Sequence, residues 1–448
     1  MADNKRLIER KHYMQRLRDL RGRNIIKVIT GVRRSGKSTL LQMFAEELRQ
    51  SGVPEGRIQF YNFEDPDVYA LGDWKAIYDH IKIRLVPDEM NYLFLDEVQN
   101  VDVFQRLVDG LFIKKNCDVY VTGSNAHLLS GELATLLTGR YIATEVLPFS
   151  YREYVEFLDR YSNAPEASGG SGGENKAKFL KLLKKESFGN LAQGGVLSTE
   201  MVMHERLFDF QYDGGMPYAV GLGVDKQEQS KDFLRSVLDA IVEKDIFQRH
   251  KIHAKANFRK LIDFLMDSIG SPVSPNSIAN VFKSEGLPID NKTVSQHLDY
   301  LTASFLFYKV PRYDLKGKGL LRTLDKYYLS DTGFRKVFLA KGKTADLGHL
   351  LENVVYLELR RRYADVHTGK WSGKEVDFVA IDRDGNVTYF QVAFSARDPK
   401  TLERELAPLK AIRDSNPKYL LTMDFDMNPV YDGIRKLHVA DWLLGEKV

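Results

Sequence analysis

A chain of 448 residues with 43% hydrophobic and 28% charged side chains is long enough for two or three domains with cores of their own. No apolar run approaches the about 18 residues of a membrane-spanning helix, and the stretch Met1 to Arg23 is charged where a secretion signal would be apolar, so neither membrane insertion nor export is expected. A net charge of +4 does not by itself identify a nucleic-acid binder, and the single Cys117 has no internal disulfide partner, which fits a reducing cytoplasm.

The first strong pattern is Gly31-Val32-Arg33-Arg34-Ser35-Gly36-Lys37-Ser38, a match to the phosphate-binding loop G-x-x-x-x-G-K-[ST]. Ile25 to Thr30 before it reads as a buried strand, and Leu40 to Leu48 after it as an amphipathic helix. Strand, loop and helix thus come in the order that phosphate binding needs. Gly31 and Gly36 permit the tight turn that aims backbone N–H groups, including those of Arg34 and Ser35, at phosphate oxygens. Lys37 is expected to reach the β- and γ-phosphates, Ser38 to ligate Mg²⁺, and Thr39 to contact the α-phosphate, so that ATP and Mg²⁺ are the predicted ligands.

A second acidic element follows at Tyr92-Leu93-Phe94-Leu95-Asp96-Glu97, an apolar strand ending in two carboxylates. Asp96 is expected behind the Mg²⁺, and Glu97 as the base that polarises water. A third strand, Val119 to Thr122, runs into Gly123-Ser124-Asn125, where Ser124 or Asn125 senses a γ-phosphate or simply closes a turn. Arg140, just before the apolar stretch Ile142 to Phe149, is a candidate arginine finger acting in trans in a homo-oligomer, with a surface ion pair as the alternative.

The nucleotide-binding core is expected over 1–160. Residues 161–250 read as a helical lid that begins with a Gly/Ser tether, Ser168 to Gly173, and is broken by the turn Asp213-Gly214-Gly215-Met216-Pro217, with Gly215 close to another element. Over 251–345, three short helical patterns and two strand patterns have a winged-helix layout. These are Phe258 to Ile269, Asn276 to Glu285, Lys292 to Thr302 capped by Asn291, and a hairpin around Lys316 to Gly319. Its six basic residues from Lys309 to Lys326 stand against two acidic ones, and the third helix offers Lys292, Thr293, Ser295, Gln296 and His297. Lys292, Gln296, Arg312, Lys316 and Lys318 are therefore the candidate DNA contacts. Contact with a protein partner is the alternative.

Over 346–448, an amphipathic helix at Leu351 to Leu359 precedes strands near Glu375 to Ala380 and Thr388 to Ala393. This order invites comparison with the PD-(D/E)xK nuclease core. Glu352 and Asp377 fit two acidic places, but the third acid and the lysine fall at Gln391 and Ala393, so the nuclease site reads as decayed unless Lys374 or Glu375 substitutes.

Taken together, the phosphate loop, Phe94 to Gln99, Thr122 to Asn125, Leu137 to Tyr141, Gly214 to Pro217, Leu329-Ser330-Asp331-Thr332-Gly333, Leu351-Glu352-Asn353, Glu375 to Phe378 and Gln391 to Ala393 resemble the bacterial and archaeal AAA-family ATPases that carry a C-terminal DUF4143 domain. The resemblance implies an α/β P-loop NTPase core of AAA type with an additional strand, a helical lid, a winged helix and a restriction-endonuclease-like α/β C-terminus. Two function classes follow: a DNA-associated ATPase, or an ATPase switch that acts on a protein partner.

Overall fold

The computed structural model describes residues 7–126, 139–162, 199–222, 227–315, 319–338, 346–371, 373–424 and 429–445. The Gly/Ser tether, Lys316 and Lys318 lie outside them.

The first body is a parallel sheet of β1 (Ile26–Thr30), β2 (Ile58–Asn62), β3 (Asn91–Asp96), β4 (Cys117–Gly123) and β5 (Tyr141–Glu145), in the order β2-β3-β4-β1-β5. Every residue of β1 and β3 is buried, because both faces of the sheet are covered. Ile26 and Val28 pack toward the helices Trp74–Ile83 and Phe104–Phe112, while Ile29 packs toward Lys11–Leu20 and Lys37–Gln50. β4 lies between β1 and β3, with Thr30 level with Gly123 and Leu95 level with Val121. The phosphate loop, Asp96 and Gly123 therefore converge at one carboxyl edge, where open α/β sheets hold ligands.

The helices Thr199–Asp213, Gln227–Ala240, Lys255–Asp267, Pro275–Ser284 and Asn291–Ala303 lead into β6 (Phe307–Asp314) and β7 (Gly319–Leu329). Asn291–Ala303 is capped by Asp290, whose carboxylate accepts from the Thr293 amide at 2.9 Å, and not by Asn291 as the sequence implied. The hairpin is longer than expected and is no free wing. Arg312, Tyr313 and Asp314 of β6 pair with β7 on one side and with β8 (Asp365–Trp371) on the other. With β9 (Lys374–Ile381), β10 (Val387–Ala393), β11 (Lys418–Thr422), β12 (Val430–Tyr431) and β13 (Ile434–His438), they build one sheet in the order β12-β13-β11-β10-β9-β8-β6-β7. A boundary at 345/346 would cut that sheet.

The amphipathic helix expected at Leu351 to Leu359 forms as Leu347–Arg362, in which Leu350 through Leu359 are all buried. It packs on β10 on one side and on Thr199–Asp213 on another, so no face of its middle meets water. One apolar core runs from Phe149 through Leu207, Phe258, Tyr328 and Phe378 to Trp442, joining the three C-terminal segments into one packed unit.

The Gly214-Gly215 turn is fixed to that unit by Asp331, whose buried carboxylate accepts from the amides of Gly215 at 2.7 Å and Gly333 at 2.9 Å. At Gly214, with φ +80°, a Cβ would lie 1.9 Å from the same carboxylate. Gly215 in turn accepts from the Phe149 amide at 2.8 Å, the close approach expected of it. Burial pushes the Asp331 carboxyl up to about 7, against these two hydrogen bonds and the field of Lys336. An unfolded aspartate titrates near about 3.9. The folded chain thus keeps a proton that the unfolded chain releases, and this contribution to stability is full below about pH 4 and lost as pH rises through about 7. Asp331→Asn removes the titration, so the stability advantage of wild type over the variant, read from urea midpoints, is expected to shrink over that range. An advantage that stays constant with pH would refute the assignment.

Candidate functional site

β1 delivers the chain into Gly31, where φ is +136° and a Cβ would lie 2.3 Å from the Val146 carbonyl oxygen, so a larger residue would push the loop off the exit of β5. Gly36, left-handed at φ +98°, precedes the first turn of Lys37–Gln50, whose N-terminal amides point toward the loop. Lys37 is 3% exposed and donates to the carbonyls of Gly31 at 3.1 Å and Val32 at 3.2 Å, with Glu97 Oε1 3.8 Å away. Burial lowers its affinity for a proton, Arg33 adds to that effect, and Glu97 opposes it.

Ser38 donates to Asp96 Oδ1 at 3.0 Å, and Thr122 donates to the same oxygen. Burial raises the Asp96 pKa, against these two bonds. Glu97 adopts a left-handed backbone at φ 53°, held by its amide donating to Thr122 Oγ1 at 2.8 Å. Its carboxylate accepts from Gln99. Burial raises the Glu97 pKa, but the Lys37 ammonium and the Gln99 bond outweigh it and leave the group below the usual range, hence ionised at neutral pH. The Ser35 hydroxyl is fully buried in the loop without a hydrogen-bond partner. An orphaned hydroxyl, a glycine-shaped cradle, a desolvated ammonium and a Ser–Asp pair together fit a nucleoside triphosphate with Mg²⁺.

Two ion pairs at this edge have no counterpart in the sequence patterns. Arg10, 5% exposed, makes a two-pronged pair with Glu153 at 2.9 Å and 2.9 Å, and donates to the carbonyls of Ser35 at 3.1 Å and Leu147 at 2.8 Å. Arg33 of the loop and Asp245 of the π-helical turn Ile241–Phe247 form a second such pair, and Ser124 donates to Asp245 Oδ1 at 3.1 Å. The Asn125 side chain donates to the Asp245 carbonyl at 3.4 Å, so Ser124 and Asn125 both face the helical unit. No local pattern announces Asp245, which lies 212 residues beyond Arg33. The one signal was an arginine in the loop that the phosphate pattern does not require.

Arg140 sits elsewhere. Its carbonyl accepts from the Ile26 amide at the opening of β5, and its side chain, 47% exposed, pairs with Asp109 at 2.7 Å. Thr30 is level with Glu145, so Arg140 lies five residues of strand, or about 17 Å, from the phosphate edge of its own sheet. That excludes action on the same chain's loop.

Of the proposed DNA contacts, Lys292 and Gln296 are exposed, on a helix whose His297 is buried edge-on against Phe258. Arg312 is half-buried between two strands, and Lys309 is paired with Asp325 at 3.0 Å. Lys326 has turned inward. Its ammonium lies 2.9 Å from Glu352, 2.7 Å from Glu375 and 4.0 Å from Asp377, with the Tyr328 hydroxyl 2.6 Å from Glu352. The expected lysine is missing at Ala393, but a lysine from β7 reaches the carboxylates. Gln391 is occupied by the Asp377 amide at 3.4 Å and by Glu405 at 3.0 Å. Among the described residues, no group of three His, Cys, Asp or Glu side chains is arranged to hold a metal ion.

Comparison with known proteins agrees with the first body. The model of an AAA domain (AAA_14) matches residues 23–155. A domain of unknown function, DUF8612, matches residues 204–345, across the expected 250/251 boundary and ahead of 346–448, where the resemblance places the DUF4143 domain. An uncharacterized protein of Methanocaldococcus jannaschii is 29% identical over 402 residues, covering 87% of this chain and 79% of the relative. A Walker-type ATPase structure from Pyrococcus abyssi shares 14% identity, with 75% of this chain and 97% of that chain covered and a TM-score of 0.44. An uncharacterized protein of Haemophilus influenzae is 34% identical over 442 residues, which is 98% of this chain and 100% of that protein. The chain belongs to the family of AAA-domain proteins that includes this Haemophilus influenzae relative.

Proposed function

We propose that the protein binds Mg-ATP at the carboxyl edge of its five-stranded sheet and hydrolyses it as a switch acting on the helical and C-terminal unit. The observation that carries this reading is the buried pair Lys37 and Glu97, 3.8 Å apart, together with buried Asp96 accepting from the Ser38 hydroxyl at 3.0 Å. Bound Mg²⁺ supplies neutralisation of phosphate charge, with Ser38 and Asp96 as the residues that hold it. Lys37 and the loop amides bind phosphate, and Thr122 fixes the backbone of Glu97 so that an ionised carboxylate faces Lys37. Glu97 then orients water and accepts its proton. Lys37→Ala is expected to abolish nucleotide binding, while Glu97→Gln keeps binding and stops turnover. Equal hydrolysis rates in wild type and Glu97→Gln would remove Glu97 from the role of base.

Arg140, distant from its own loop and exposed, suits service to a neighbouring copy in a homo-oligomer. Arg140→Ala should slow turnover by roughly a thousandfold. Mixing it with Lys37→Ala subunits should restore part of the rate, and mixtures that stay inactive argue against action across an interface.

DNA association is a second reading, favoured by Lys292 and Gln296 exposed on a capped helix. It requires retention on duplex DNA that falls steeply with salt and weakens in Lys292→Ala; salt-independent behaviour favours a protein partner instead. The C-terminal unit is read as a non-nuclease, because the Lys326 ammonium sits among the carboxylates that would hold Mg²⁺. Nicking of the same DNA in Mg²⁺ or Mn²⁺, lost in Asp377→Ala, would overturn that.

A further inference from the structure

The phosphate loop carries a second cation that the nucleotide-binding pattern leaves unused. The Arg33 guanidinium donates through Nε and Nη2 to the two oxygens of Asp245, each at 3.0 Å, and through Nη1 to Glu64 at 2.9 Å. Three of its five N–H donors are so engaged, and two remain. Asp245 is 1% exposed and comes from the helical unit, while Ser124 at the end of β4 donates to the same carboxylate. The field of Arg33 also reaches Glu97, whose carboxylate it helps to keep ionised. One guanidinium therefore stands beside the residues assigned to hydrolysis while it grips a carboxylate of another module.

We propose that Arg33 is a γ-phosphate ligand held in reserve by Asp245, so that ATP, but not ADP, loosens the helical unit from the phosphate loop. The proposal rests on the reading of the loop as an ATP site. A terminal phosphate brings more negative charge to an edge that already holds Asp96, Glu97 and Asp245, and an arginine fork pairs with phosphate as well as with carboxylate. When phosphate draws the fork, Asp245 is left buried with the Ser124 hydroxyl and the field of Lys37, itself drawn to phosphate, against its charge, a state too costly to persist. The turn that carries it must then move until Asp245 meets water. That turn, Ile241–Phe247, is π-helical, a rare geometry that recurs at functional sites. ADP has no group to compete for the fork and leaves the pair in place.

The experiment compares the affinities of a non-hydrolysable ATP analogue and of ADP by calorimetry in wild type, Asp245→Asn and Arg33→Ala. The ratio of analogue to ADP affinity is expected to rise roughly tenfold in Asp245→Asn, which removes the competing carboxylate, and to fall by a similar factor in Arg33→Ala. In the wild-type protein, amide hydrogen exchange over 241–247 should quicken with the analogue and not with ADP, a readout that needs no variant to fold. Unchanged ratios together with identical exchange in both nucleotides overturn the latch while leaving the ATP site standing. Failure of wild type to bind either nucleotide removes the ATP reading itself.

Discussion

The position of the phosphate loop depends on Arg10. A guanidinium this deeply buried must have its charge and its donors met, and it meets them with the Glu153 carboxylate and the carbonyls of Ser35, Leu147 and Pro148. These acceptors belong to three parts of the chain: the loop, the exit from β5, and the helix Tyr151–Ser162. The ring faces of Tyr13 and Phe149 cover the rest of the guanidinium at 4.6 Å and 5.4 Å. A short N-terminal segment thereby ties the nucleotide edge to the point where the chain leaves the first sheet.

From that point the connection between the bodies continues through polar groups, those around Asp331 buried and those around Glu145 partly exposed. Phe149 bonds to Gly215, Gly215 to Asp331, and Asp331 to Gly333. Glu145, the last residue of β5, accepts from Tyr308 of β6 and from Arg360 at 2.6 Å, and Arg361 donates to the Pro148 carbonyl at 2.8 Å. The edge strand of the first sheet is thus bonded to the hairpin and to the long C-terminal helix. The buried bonds at Asp331 are costly to leave unmade, so they fix orientation more than they add stability.

What the sequence made legible was local. The phosphate loop follows from eight residues whose spacing is dictated by turn geometry, and Asp96 and Glu97 from a strand that ends where ligands bind. Contacts such as Arg33 with Asp245 or Arg10 with Glu153 join residues more than a hundred positions apart, and neither helical nor strand periodicity encodes them. By sequence Lys326 belongs to the basic stretch that begins at Lys309, but packing turns it toward Glu352 and Glu375. The helix Leu347–Arg362 looked one-sided because polar residues interrupt it, yet Glu352 and Asn353 are buried because β7 supplies their partners. β2 and the strands after Ala393 carried too little pattern to be read, since each is short and supported by neighbours rather than by its own alternation.

The pairing of β6 with β8 has a mechanical consequence. A hairpin on a sheet's edge swings by bending its own turn, whereas a strand hydrogen-bonded on both sides moves only with its sheet. The helix Asn291–Ala303 packs against β6 and runs directly into it, so it is coupled to that sheet as well. Force applied at Asp245 or at Glu145 would therefore turn this helix and the C-terminal sheet as one lever arm, and the reach of its far end would be set by eight strands rather than by the stiffness of a loop.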